Sequence, residues 1–412
     1  MTVLTVPTPA LIALVGAAGS GKTTFAAGHF AADEVYGPEA LQSGDPDQDS
    51  PTLALRQRLE QGQLTVLDAP HLHAADRKRV VTLARACGVA PVALVLDLPP
   101  EVLLARQGAS PRPVRSAQVW HQVRELRHGL EHLAQEGFEV VHVLSSRAQA
   151  NAAQVKRVPP PSVRRGAHGP FDIIGDVHGC RDELVELLTQ LGYTVNDMQV
   201  TPPQGRTTVF LGDLVDRGPD TPGVLRLVMG MVEAGTALCV AGNHDDKLRR
   251  ALAGRAVSRT HGLEVSLAQL DREPGPFRTQ VRTFLGALPS HYVLDGGRLV
   301  VAHAGLPERF QGRDGPRVRA FALYGDTDGT LDAAGQPVRR NWAAQYRGSA
   351  LVVYGHTPVR HPLWQHHTVN LDTGCVFGGQ LSALRYPELQ TVSVPARAVY
   401  RTPSRPLLDL NG

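Results

Sequence analysis

The chain has 412 residues, 42% hydrophobic and 20% charged, with a formal net charge of +3 and a pI near 8.7. That length exceeds one ordinary core and fits two or three domains of a soluble globular protein. No run of about 18 apolar residues occurs, and the start lacks the charged region and small-residue cleavage pattern of a signal peptide, so neither a membrane span nor secretion is expected and the chain reads as cytoplasmic. The mildly basic balance permits a nucleic-acid or nucleotide partner without requiring one. Cys87, Cys180, Cys239 and Cys375 are far apart with no CxxC pair. They read as reduced, mostly buried thiols rather than disulfides or a zinc site.

The first element is LIALVG (11–16), a buried-strand pattern, followed by GAAGSGKT (16–23) and a helical FAAGHF. The octapeptide fits GxxxxGK[ST]. Gly16, Gly19 and Gly21, with Ser20, let backbone amides turn inward around phosphates; Lys22 neutralises β/γ charge and Thr23 reaches Mg²⁺. ATP or GTP with Mg is the expected ligand. QLTVLDA (63–69) and PVALVLDL (91–98) add short apolar strands alternating with helical stretches, which predicts a P-loop parallel sheet over 1–150. Val119, Val123, Leu126, Leu130 and Leu133 alternate spacings of four and three, a stripe that packs a helix onto its own sheet. Residues 151–169, with Lys156, Arg157, Arg164 and Arg165 around three prolines, read as a solvated interdomain linker rather than an RNA-contacting strip.

From 170 to 412 five motifs follow: GDVHG (175–179), GDLVDRG (212–218), GNHD (242–245), HAG (303–305) and GHTP (355–358). Four of them end, or lie just beyond, the strand-like runs FDIIG, TTVFLG, ALCVAG and LVVYG. A lone Asp before glycine is usually a turn residue and a lone His a core residue. Carboxylates, an amide and imidazoles converging at strand ends instead suit Mn, Fe, Ni or Zn, and two such ions about 3.5–4 Å apart clamp a phosphoryl group.

In this order the motifs resemble the binuclear metallophosphoesterases of the calcineurin-like superfamily, in the branch that includes the phosphoprotein phosphatases. The resemblance implies an α/β/β/α sandwich after the P-loop sheet, hence an α/β chain throughout. It implies two divalent ions, Mn foremost, one held by Asp176, His178 and Asp213, the other by the shared Asp213 with Asn243, His303 and His356. It further implies His244 paired with Asp216 as general acid, with the carboxylate raising the imidazole pKa, and Arg217 as a phosphate fork.

A P-loop half joined to a GDVHG half, with strings such as VDRGPDTPGVLRLVMGMVEAG and NLDTGCVFGGQLSALRYPE, is similar to the bacterial polynucleotide kinase-phosphatases. That resemblance implies removal of 2′- or 3′-terminal or 2′,3′-cyclic phosphates from RNA or DNA ends, with a separate ligase or RNA-repair methyltransferase as partner. A protein phosphatase, a bis(5′-nucleosyl)-tetraphosphatase and a nucleotide-gated binding subunit are the alternatives. The kinase half departs from that family's pattern: Glu39 stands where it has the activating Asp, Gln42 where it has an Arg, and Pro70-His71 where it has Thr-Asn. Moving a carboxylate by a methylene can cost about 100-fold, so a weakened 5′-kinase or a changed acceptor is expected.

Overall fold

A computed structural model describes residues 2–41, 51–107, 113–331, 337–403 and 406–408. The chain divides into two compact units, Met1–Pro160 with Arg313–Val318, and Pro161–Gly312 with Arg319–Gly412.

In the first unit the apolar runs become the strands Ala10–Val15 and Ala90–Leu96, buried along their whole length. They are central in a five-stranded parallel sheet ordered Val35–Tyr36, Thr65–Asp68, Ala10–Val15, Ala90–Leu96, Val140–Leu144. Strands covered by helices on both faces carry no polar alternation, which is why these runs are continuous. Successive side chains still part to opposite faces. Leu11, Ala13 and Val15 join Val80 and Leu126, whereas Ile12 and Leu14 join Phe25 of the helix Lys22–His29. The helix Ser116–Leu130 buries Val119, Val123 and Leu126, as a core stripe should.

The stretch expected as a linker is partly a strand. Ala153–Val158 pairs in parallel with Thr2–Pro7, in register from Thr2 with Ala153 to Pro7 with Val158. Ala153 and Val155 face the core of this unit, and the Arg157 guanidinium closes on the Glu34 carboxylate with two 2.7 Å hydrogen bonds. The alternation was hidden because the basic Arg157 shares the side of Ala153 and Val155, while Lys156 points the other way. In the second unit, the Val293 amide donates to the Ser162 carbonyl and the Arg164 amide to the Val293 carbonyl.

The second unit is built on two five-stranded sheets. One is ordered Ala237–Cys239, Thr207–Phe210, Phe171–Ile174, Gln380–Tyr386, Gln390–Pro395; the other His291–Leu294, Leu299–Ala302, Leu351–Tyr354, Thr368–Asn370, Leu363–Gln365. Ile173, Val209, Val301, Val353, Leu371 and Leu384 come from both sheets into one buried cluster. Ile174 and Phe210, one position along, face the helices Arg181–Gln190 and Thr221–Glu233. All four cysteines are free and buried. Among the described residues no helix is long and apolar enough to cross a membrane.

One buried charge cluster pins the first of these sheets. Asp172 is fully buried and accepts hydrogen bonds from Tyr193 Oη at 2.9 Å, Arg206 Nε at 3.0 Å and Arg385 Nε at 3.3 Å. Removing the carboxylate leaves Arg206, among the described residues, with Glu388 as its one acidic partner and leaves Arg385 and Tyr193 without theirs. Asp172→Ala is therefore predicted to destabilise this unit by about 3–5 kcal/mol in urea unfolding; an unchanged midpoint would show that the cluster contributes nothing.

Candidate metal centre

Parallel neighbours in a sheet end on the same edge, and the motifs use that edge. Asp176 and His178 follow Phe171–Ile174, Asp213, Asp216 and Arg217 follow Thr207–Phe210, and Asn243 and His244 open the helix Asn243–Leu252 beyond Ala237–Cys239. In the other sheet His303 follows Leu299–Ala302 and His356 follows its parallel neighbour Leu351–Tyr354.

The side chains converge around Asp213. Its Oδ2 lies 3.5 Å from His178 Nε2 and its Oδ1 3.4 Å from His303 Nε2, so each carboxylate oxygen faces a different group of donors. His303 Nε2 is also 2.9 Å from Asn243 Oδ1 and 3.0 Å from His356 Nδ1. Backbone carbonyls aim the rings: His178 Nδ1 is 2.7 Å from the Val215 carbonyl and His303 Nδ1 3.0 Å from that of Leu211, which leaves each Nε2 toward the centre. Asp176 Oδ2 accepts from the His356 amide at 3.1 Å, while Asp176 Oδ1 and His356 Nε2 are buried without a hydrogen-bond partner.

The backbone is strained to reach this arrangement. His178, Asp213, Asp216, Arg217 and His356 have φ of 45°, 46°, 73°, 74° and 72°, a region that costs non-glycine residues about 1–2 kcal/mol each. Lacing between motifs holds them there: the His178 amide donates to the Asp213 carbonyl at 2.8 Å and the Gly179 amide to that of Leu214 at 2.9 Å. Gly242 is required by close approach, because a Cβ at that position would stand 2.2 Å from Asp213 N and Oδ1.

Burial governs the electrostatics. It pushes the Asp213 carboxyl up to about 7 despite Arg217, and holds Asp176 well above the usual range with help from the negative charges of Asp372 and Asp213. It pushes His303 down to about 3, and with Arg217 and Arg339 respectively it holds His178 and His356 neutral. Neutral imidazoles, an amide and carboxylates short of countercharge are the donor set that divalent ions satisfy. The residues present therefore fit a two-ion site, with two carboxylate–imidazole groups, Asp213–His178–His244 and Asp213–His303–His356, each close enough to share an ion.

His244 Nδ1 meets Asp216 Oδ2 at 2.6 Å, and Arg217 Nη2 donates to His244 Nε2 at 2.8 Å. The expected rise in the His244 pKa is not found. Burial and the neighbouring Arg217 push it well down, and burial also lifts Asp216 to about 8, so burial outweighs the attraction within the pair. Arg217 itself is seated by its guanidinium carbon 5.2 Å from the Phe377 ring centroid.

Three residues join the site that sequence reading missed. Asp372, after the strand Thr368–Asn370, is buried and pushed up to about 7 by that burial. Its signal was NLDTG, one more Asp beside a strand end and near a glycine. Asp245 receives the amides of Leu214 and Gly242, both at 3.0 Å, tying two motifs together. Arg339 lines a cavity of about 520 Å³ with His356 and Trp342, and carries no sequence signal at all.

In the first unit Gly19, Ser20, Gly21, Lys22 and Thr23 line a cavity of about 730 Å³, and the Gly16 amide donates to the Pro70 carbonyl at 3.1 Å. Lys22 Nζ donates to the Gly16 and Ala17 carbonyls at 2.8 and 3.1 Å; burial lowers its pKa to about 8, against the attraction of Asp68. Thr23 Oγ1 donates to Asp68 Oδ2 at 2.6 Å, and Arg106 to the Gly19 and Ser20 carbonyls. Glu39 is exposed on the turn Pro38–Leu41, whose Ala40 is buried, and its carboxylate folds over Gly37. Gln42 lies outside the described residues.

Known proteins agree with this division of labour. Residues 169–360 match the family of calcineurin-like phosphoesterases and residues 49–133 an AAA domain. The chain is 48% identical over 234 residues to the asymmetrical bis(5′-nucleosyl)-tetraphosphatase PrpE of Anoxybacillus flavithermus, covering 56% of this chain and 96% of that one. It is 49% identical over 231 residues to that of Halalkalibacterium halodurans, covering 55% and 94%, and 46% identical over 234 residues to that of Bacillus subtilis, covering 56% and 96%. The chain belongs to the calcineurin-like phosphoesterase family. It is a metallophosphoesterase that also carries a P-loop kinase-like domain.

Since one carboxylate faces both donor groups, Asp213→Asn is predicted to lower bound manganese from about two ions per chain to less than one, read by elemental analysis after dialysis. Retention of both ions would remove Asp213 from the centre.

Proposed function

We propose that the second unit hydrolyses dinucleoside tetraphosphates asymmetrically, releasing a nucleoside triphosphate and a nucleoside monophosphate, while the first unit binds ATP or GTP. The observation that carries the hydrolytic reading is the Asp213 carboxylate, with one oxygen toward each donor group. The extent of identity to the tetraphosphatases supports the choice of substrate.

In this reading Asp176, His178 and Asp213 hold one divalent ion, and Asp213, Asn243, His303 and His356 the other; Mn, Fe, Ni and Zn all suit the set. When bound, the ions supply Lewis-acid charge to the phosphoryl oxygens and lower the pKa of the attacking water. Arg217 grips two phosphoryl oxygens with its fork, pre-positioned by Phe377, and Arg339 adds positive charge from the side of His356. Once a phosphoryl group draws Arg217 away from His244 Nε2, that nitrogen would give its proton to the departing oxygen while the Asp216 carboxyl proton passes to Nδ1 across the 2.6 Å contact. A leaving nucleotide phosphate needs that proton little; a ribose alkoxide needs it greatly.

A second reading, removal of terminal or cyclic phosphates from RNA or DNA ends, is favoured by the P-loop unit in the same chain. A ligase or methyltransferase partner belongs to that reading alone. The two separate in one assay with manganese: diadenosine tetraphosphate is expected to give ATP and AMP faster than RNA carrying a 3′-phosphate or 2′,3′-cyclic phosphate loses its phosphate. The reverse order selects the second reading. His244→Ala is predicted to slow the ribose ester about 100-fold or more and the tetraphosphate less than about tenfold. Equal losses, or loss of metal, would give His244 a structural duty instead.

A further inference from the structure

The cavity of about 520 Å³ in the second unit is lined both by His356 and by the aromatic residues Trp342 and Tyr354. The indole of Trp342 is firmly held. The ring centroids of Tyr354, Tyr346 and Phe321 stand 5.1, 5.9 and 6.2 Å from it, and its Nε1 donates to the Ala304 carbonyl at 3.1 Å. A Cβ on Gly305 would lie 1.9 Å from the indole, so the glycine two residues after His303 is what admits the ring. An aromatic surface fixed in this way binds a flat ligand without first having to be ordered.

The rest of the lining is polar where a base edge would meet it and cationic where phosphates would. Leu363 and Gln365 share one face of the edge strand Leu363–Gln365 and line the cavity, while Trp364 between them is exposed. Asn341 lines it as well. A side-chain amide sets a donor beside an acceptor, the pattern that the edges of nucleobases match. Asn370 ties the lining to the metal centre: its Nδ2 donates to the Thr357 carbonyl at 2.8 Å, and its Oδ1 accepts from the Asp372 amide at 2.9 Å. Arg339 and Arg340 face the cavity with Asp326 as the one carboxylate among the described lining residues. Arg339 is also near the centre, since its charge adds to burial in holding His356 neutral.

We propose that this cavity receives the nucleoside joined directly to the phosphorus under attack, with the base on the Trp342–Tyr354 wall and its edge toward Asn341 and Gln365. The proposal rests on the reading of the second unit as a dinucleoside tetraphosphatase. It gives that reading a cause for the asymmetry of the cut. His356 belongs both to the cavity lining and to the ligand set, so a base in the cavity is separated from the reacting phosphorus by little more than its ribose. The α-phosphorus takes the oxygen of water as its bond to the α,β-bridging oxygen breaks. The products are a nucleoside monophosphate and a nucleoside triphosphate, and the two protons of the water pass to solvent as both ionise. A base held farther away would put a middle phosphorus at the centre and yield two nucleoside diphosphates. The volume suits one nucleoside, being within the range of small-ligand sites, and the two arginines suit the polyphosphate that trails from it.

The test uses the full chain with manganese and diadenosine tetraphosphate, and compares AMP with ribose 5-phosphate as competitive inhibitors. AMP is expected to inhibit at about tenfold lower concentration, because its base adds stacking that the sugar phosphate lacks. Gln365→Trp and Leu363→Trp each fill the cavity from the edge strand, away from the metal donors. Both are expected to raise KM for the tetraphosphate and to weaken AMP inhibition about tenfold, while ribose 5-phosphate inhibition and bound manganese stay within about twofold. AMP no better than ribose 5-phosphate, AMP inhibition unchanged in both variants, or equal weakening of the two inhibitors with manganese retained would each overturn the proposal. Loss of phosphate from RNA ends with no cleavage of the tetraphosphate by the unaltered chain would be a different result, overturning the substrate reading and the proposal with it.

Discussion

Buried negative charge is the constraint on which the second unit turns. Asp176, Asp213 and Asp216 after strands of one sheet and Asp372 after a strand of the other are all nearly or fully buried, and burial pushes every one of their carboxyls upward. Protein cations answer only part of this, since the imidazoles around them are held neutral. Divalent ions would supply the missing charge and draw the carboxylates back to their ionised form. Binding of metal and ionisation of the cluster are thus one coupled event.

The same requirement accounts for the local backbone. Five donor or neighbouring residues sit in the left-handed region, and the cost is borne by lacing between motifs and by a sandwich whose core is closed on both sides. Glycine at 242 lets the third strand's loop pass directly over Asp213. The motif glycines are therefore part of how the donors are aimed, and a chain able to place these donors without strain would not need them.

Much of this was legible in the sequence because strand and ligand are adjacent there. An apolar run that ends in Gly-Asp or Gly-His announces both the element and the side chain at its end, as at Asp213 and His356. The P-loop was legible for the same reason, as a strand, a glycine loop and a helix in order. What was not legible depends on contacts between distant residues. Asp372 follows a three-residue strand too short to read, and Arg339 is one of 42 lysines and arginines with nothing local to single it out. The sign of the His244 shift was read from its partner, whereas burial and Arg217 decide it. The strand Ala153–Val158 was masked by basic residues on both of its sides, Arg157 with Ala153 and Val155 and Lys156 opposite, and the orphaned Nε2 of His71 by a ring whose partner is 57 residues away.

The central claim is that Asp213 joins two metal ions. Crystals grown with manganese, measured at and away from its absorption edge, test this most directly. Two anomalous peaks about 3.5–4 Å apart, each within bonding distance of a different Asp213 oxygen, are predicted. A single peak, or two peaks of which Asp213 touches only one, would contradict the account.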